Sequence, residues 1–122
     1  MTVLTQEEIT QFCSQLAEYP EALAALDAVQ ECDGYLEDAI ALLLSRETGK
    51  EPTRGMSEIW QKCRKVICQE EFRNELAGGL LGLAIEPVAV SVGIPPSVAT
   101  VLIIYVYKTG IKKFCEAPES SA

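Results

Sequence analysis

Three segments within the first fifty residues repeat one pattern, apolar positions three and four apart, each closed by turn residues. Thr5 precedes Glu8 by three positions, the arrangement in which each side chain satisfies the other residue's backbone N–H at a helix start. Ile9, Phe12, Cys13 and Leu16 then make one apolar face, and Tyr19-Pro20 ends the run, because a residue before proline is pushed out of the helical region. Pro20 and Glu21 suit the first turn of a second helix. Leu23, Leu26 and Val29, with alanines at 22, 24, 25 and 28, carry it to Cys32-Asp33-Gly34, where glycine takes a left-handed cap at least cost. The third helix is predicted from Tyr35 to about Glu47, with Leu36, Ile40, Leu43 and Leu44 on one side, and Thr48-Gly49-Lys50-Glu51-Pro52 stops it.

The pattern then changes. Residues 52–56 combine Pro, Thr, Arg and Gly and read as a linker. Ser57 caps a fourth helix, whose apolar face is Ile59, Trp60, Cys63, Val66 and Ile67 and whose other positions include Lys62, Arg64 and Lys65, the most basic patch in the chain. A fifth helix is predicted from Gln69 to about Ile85, polar at first and then apolar, with Gly78, Gly79 and Gly82 inside it. Each such glycine costs on the order of 1 kcal/mol relative to alanine, so something must pack closely there; Gly78 and Gly82 have the four-residue spacing that lets helix backbones touch.

From Leu76 to Tyr107 runs a stretch of thirty-two residues in which Glu86 alone is charged. Glu86-Pro87 interrupts it, Val88 to Val92 is short and β-branched, and Gly93-Ile94-Pro95-Pro96 is a turn. For Ser97 onward two readings stay open: a buried helix from Pro96-Ser97 to Gly110, or a strand from Val101 to Val106 paired with Val88 to Val92. The helix is favoured, because an isolated two-stranded hairpin is marginal in water while a helix apolar on every side suits a core. The expectation is an all-α, compact bundle of about six helices. Residues 1–51 form an acidic three-helix module packed on an apolar helical region at 57–116, and 117–122 form a disordered tail.

Charge sharpens this division. Met1 to Glu51 holds eleven acidic and two basic residues, the remainder seven and eight, for a net charge of −8. An acidic chain without histidine lacks the clustered basic surface that nucleic acid requires. The chain is long enough for a single core, and a membrane-spanning helix needs roughly 20 apolar residues, which no uninterrupted segment supplies. The odd cysteine count of five, and an opening without a signal peptide, point to free thiols in a reducing, cytoplasmic setting. Cys63 and Cys68 lie five apart, which turns their side chains roughly 140° from one another on a helix; without histidine or a C-x-x-C pair, neither a metal site nor a cofactor is expected. A redox role for either thiol has only the neighbouring Arg64 and Lys65 in its favour.

The run ALDAVQECDGYLEDAIALLL, Ala25 to Leu44, resembles the second and third helices of ubiquitin-associated (UBA-like) three-helix domains, through Leu26, Gly34, Glu37, Ala39, Ile40, Leu42 and Leu43. The resemblance spans residues 5–47 and implies a tight α-α turn with small residues at the crossings. The Met-Gly-Phe-like loop with which many such domains grip ubiquitin is replaced here by Glu18-Tyr19-Pro20, so ubiquitin binding does not carry over. CRKVICQEEFRNEL and VATVLIIYVYKTGIKKFC resemble segments of small uncharacterised helical proteins encoded in cyanobacteria. That likeness implies a cytosolic bacterial protein and a helical fold, with no chemistry attached.

No catalytic constellation is present: without histidine, a general base must be a lysine or a carboxylate, and only Glu86 stands among aliphatics, where burial raises a carboxyl pKa. The functional expectation is a non-enzymatic interaction or adaptor protein with a protein partner or a second copy of itself. Its candidate contact residues are Tyr19, Trp60, Lys62, Arg64, Lys65, Gly78, Gly82 and Glu86. The alternatives are a peripheral membrane or lipid-binding protein using the basic patch, and a carboxylate-dependent enzyme at Glu86.

Overall fold

A computed structural model describes residues 3–49, 56–77 and 81–116. The described residues form eight helices and no strand: α1 (Gln6–Gln15), α2 (Pro20–Glu31), α3 (Leu36–Thr48), α4 (Met56–Ile67), α5 (Glu70–Ala77), α6 (Leu81–Val92), α7 (Pro96–Thr109) and α8 (Ile111–Glu116). The all-α expectation holds. The expected linker at 52–56 falls outside the described residues except for Met56, which opens α4; Gly78, Gly79 and the tail at 117–122 also lie outside them.

The first three helices form where the pattern places them, and local chemistry sets their ends. The reciprocal cap of Thr5 and Glu8 is made at α1, the Thr5 hydroxyl accepting from the Glu8 N–H and the Glu8 carboxylate from the Thr5 N–H. Pro20 occupies the first turn of α2. Beyond α2, Asp33 and Gly34 are both left-handed, at φ 56° and 89°. Glycine is required at 34 for a second reason: a Cβ there would collide with the Leu4 carbonyl. Gly34 returns the contact by accepting the Leu4 N–H at 2.8 Å, which ties the chain start to the α2–α3 corner. A bidentate ion pair, Arg46 Nη1 and Nη2 to the Glu31 carboxylate at 2.9 and 3.1 Å, joins α2 to α3 on the surface.

α7 is the centre of the molecule. Every residue from Ser97 to Ile104 is buried, and α2, α3 and α6 pack around it. The helix rather than the strand forms because a buried apolar segment must satisfy its own backbone polar groups, and a lone hairpin would leave half of them unpaired in the core. Pro96 begins α7 and Gly110 ends it. Two polar ties fix it to its surroundings: Ser97 Oγ donates to the Glu47 carboxylate of α3, and Lys108 Nζ to Glu8 of α1. Glu47 thereby sets a negative charge beside the positive end of α7.

The predicted fifth helix overlaps α5 and α6, with 78–80 between them outside the described residues, and α6 runs past its expected end near Ile85 to Val92. Two expectations are corrected. Pro87 does not break the chain but lies inside α6. Proline removes one intrahelical hydrogen bond, here to the Leu83 carbonyl; both Leu83 and Pro87 are on the exposed side, while Ala84, Ile85, Val88, Ala89 and Val92 bury the opposite side. Packing therefore overrides the local signal. Finally, the thiols are not all free: Cys68, just beyond α4, is disulfide-bonded to Cys115 of α8. An odd count is a compositional signal, blind to the return of α8 across α4 that brings the two Cα atoms to 5.6 Å.

Candidate interaction face

The outer side of α6 borders an open cleft of about 810 Å³, walled on the other side by Tyr19 and Glu21 at the start of α2. Its floor includes Ile85, Ala89 and Ile94, which are buried in the core. Its rim includes Leu83, 57% exposed, and Val90, 76% exposed. Leu83, Pro87 and Val90 stand at i, i+4 and i+7, hence on one side of the helix. The charged residues lining the cleft are Glu21 and Glu86, and no lysine or arginine joins them among the described residues. The cleft is thus an apolar trough with an acidic edge.

Three of the eight candidate residues meet here. Tyr19 is half-buried and its ring lies against Gly82, so closely that a Cβ on Gly82 would fall 2.6 Å from Tyr19 Cζ. The close packing expected at Gly82 is real, but its occupant is an aromatic side chain rather than a second helix backbone. Glu86 lines the same cleft and is exposed. That corrects the picture of a carboxylate buried among aliphatics: Glu86 borders the apolar cleft from its solvent side. Gly78 is outside the described residues.

No protein-family model, curated protein or solved structure matches the chain.

The remaining candidates sit elsewhere and do not form one patch. Trp60 is half-buried in an aromatic cluster, 4.9 Å from the ring of Tyr105 and 6.2 Å from that of Phe114. Lys62 and Lys65 are exposed, but Arg64 turns inward with its guanidinium 5.2 Å from the Phe114 ring centre. The basic stretch is therefore split between surface and interior. No described helix is long and apolar enough to cross a membrane; α6 and α7 reach that hydropathy only together, across a 116° bend, and most of α7 is buried.

The other reactive groups are also dispersed. Among the described residues no His/Cys/Asp/Glu cluster has metal-binding geometry. Cys63 points into the core and Cys68 toward α8, apart as their spacing predicts. Burial pushes the Cys63 thiol up to about 12, and burial followed by the nearby Asp38 carboxylate raises that of Cys32. Neither is a poised nucleophile.

Leu83, Pro87 and Val90 were not recognisable as contact residues from the sequence. In a stretch apolar at nearly every position, periodicity does not separate the residues that face the core from those that face water.

Proposed function

We propose that this protein is a non-enzymatic interaction module whose docking face is the α6 cleft, and that its partner presents an amphipathic helix with an apolar stripe flanked by lysine or arginine. The observation that carries this reading is the exposed row of Leu83, Pro87 and Val90. A helix-interior proline and two exposed large aliphatics on one face each cost solubility or stability. Departures from local consistency concentrate at functional sites, and here they coincide. Helix-in-groove docking reads i, i+4 and i+7 anchors, and the carboxylates of Glu21 and Glu86 select basic flanks over acidic ones. The apolar row spans about 10 Å of helix, which suits a transient complex rather than an obligate one. A second acidic copy of this chain fits that edge less well.

The test is a titration with two synthetic helical peptides that share an apolar stripe and carry either lysine or glutamate flanks. The lysine peptide is expected to bind, more weakly at high salt, and to lose affinity on Leu83→Asp or Val90→Asp. Both positions are exposed, so these variants should keep their stability to within about 0.5 kcal/mol. Equal binding of the two peptides, or none, refutes the reading. Flotation with anionic vesicles, abolished by Lys62→Glu and Lys65→Glu, would instead favour the lipid-surface alternative, and concentration-dependent dimerisation lost in Val90→Asp would favour self-association.

A further inference from the structure

α8 has six residues, too few to be stable without tertiary support, and it closes over the single tryptophan of the chain. Phe114 of α8 is buried between Trp60 and the Arg64 guanidinium, at 6.2 and 5.2 Å. Two polar atoms, one in this seat and one at the corner that leads into α8, oppose closure. The buried side-chain polar atoms without a hydrogen-bond partner among the described residues are Arg64 Nε and Thr109 Oγ1. Arg64 lies beside Phe114, and Thr109 immediately precedes Gly110, the corner residue at φ 106° between α7 and α8. Polar atoms that water would satisfy in an open form weigh against the closed one. A covalent bond holds the closed form, Cys68–Cys115, between the end of α4 and α8, and both cysteines are only partly buried.

We propose that Cys68–Cys115 is a thiol–disulfide exchange site whose substrate is a dithiol reductant, and that its reduction releases α8 from Trp60 and Arg64. One thiolate of the reductant attacks a sulfur of the pair, breaking the Cys68–Cys115 bond and forming a mixed disulfide. The second reductant thiol displaces the protein sulfur. Two electrons and two protons pass to the pair, leaving two cysteine thiols, and the reductant leaves as its own disulfide. The reverse exchange with an oxidised dithiol closes the latch. Cys63 does not intervene, being fully buried on another side of the helix. With α8 released, Arg64 leaves the Phe114 ring and rejoins Lys62 and Lys65 as one basic surface. This inference is independent of the α6 cleft.

Trp60 reports the test directly. On adding dithiothreitol to the folded protein, its emission should shift to the red and exchange of the α8 amides should accelerate about tenfold or more. Exchange in α7 and overall helicity should not change, and oxidised dithiothreitol should restore the starting state. Cys68→Ser/Cys115→Ser should behave as the reduced protein without any dithiol, whereas Cys13→Ser/Cys32→Ser should respond like the native chain. Alkylation and mass measurement establish that the bond has been reduced. Complete reduction without change at Trp60 and α8 overturns the proposal, as does unfolding of the whole chain on reduction or resistance of the bond to reduction in the folded state.

Discussion

The phenol ring of Tyr19 occupies the space that any side chain at Gly82 would fill, with its hydroxyl oxygen only 2.8 Å from where a Cβ would stand. This one contact joins the corner between α1 and α2 to the first turn of α6, and so connects the acidic N-terminal helices to the wall of the cleft. Glycine is tolerated in the helix because the ring needs its place. Gly82→Ala should therefore add no stability in the native chain, since the gain in helix propensity is offset by displacing the ring. In a Tyr19→Ala background the same substitution should stabilise by up to about 1 kcal/mol. Urea denaturation of the four proteins should yield a coupling of about 1 kcal/mol between the two sites; strict additivity would show that the ring moves aside at no cost.

Pro87 should be a liability to the fold and an asset to the cleft. Pro87→Ala restores a backbone donor for the Leu83 carbonyl on an exposed helix face, and should raise stability by about 1–3 kcal/mol. The same change should reduce affinity for the lysine-flanked peptide by regularising the outer face of α6. A melting temperature that stays level or falls would mean that the packing of Val88 and Ala89 has come to depend on proline at this position.

Acid should loosen the contact between α1 and α7. The Lys108 ammonium, with the Thr5 backbone N–H next, holds the Glu8 carboxyl below its usual 4.5. A carboxyl depressed in the folded state contributes stability that is complete above its unfolded value and is lost as pH falls through the folded one. Stability should thus be level, as far as this group is concerned, from neutrality to about pH 5, and decline below 4.5. Glu31, depressed by Arg46, adds to the decline in the same direction. Glu8→Gln should flatten part of the slope, and Thr5→Ala, which removes the other half of the cap, should cost about 1 kcal/mol at neutral pH. Denaturant midpoints measured from pH 7 to pH 3 check both.

What could be read in the sequence depended on whether a segment carried local information. Thr5, Pro20 and Gly34 announce helix ends through chemistry that acts within a few residues, and α1 to α3 formed accordingly. Pro87 is an equally strong local signal, yet α6 runs through it, because burial of its inner face outweighs one lost hydrogen bond. The cleft was legible only in pieces. Tyr19, Gly82 and Glu86 stood out singly, the first before a proline, the second as a helix glycine, the third as an isolated charge, but Leu83 and Val90 are indistinguishable from core residues until the position of α7 decides which side of α6 is inner. The Cys68–Cys115 pair is a matter of tertiary proximity across forty-seven residues, on which local pattern is silent.

The three free thiols should separate kinetically. Cys13 and Cys32 are partly exposed, whereas Cys63 is fully buried. The thiolate is the reacting species, and burial holds the Cys63 thiol near 12, so at neutral pH its reaction requires opening of the core as well as an unfavourable ionisation. Treatment of the folded, oxidised protein with an aromatic disulfide reagent should modify Cys13 and Cys32 and leave Cys63 intact until denaturant is added. Modification of Cys63 should then track global unfolding, and a core substitution such as Leu102→Ala, expected to cost about 2–5 kcal/mol, should speed it in proportion to the stability lost. Rapid labelling of Cys63 in the native protein would mean that α4 opens on its own, well before α7 does.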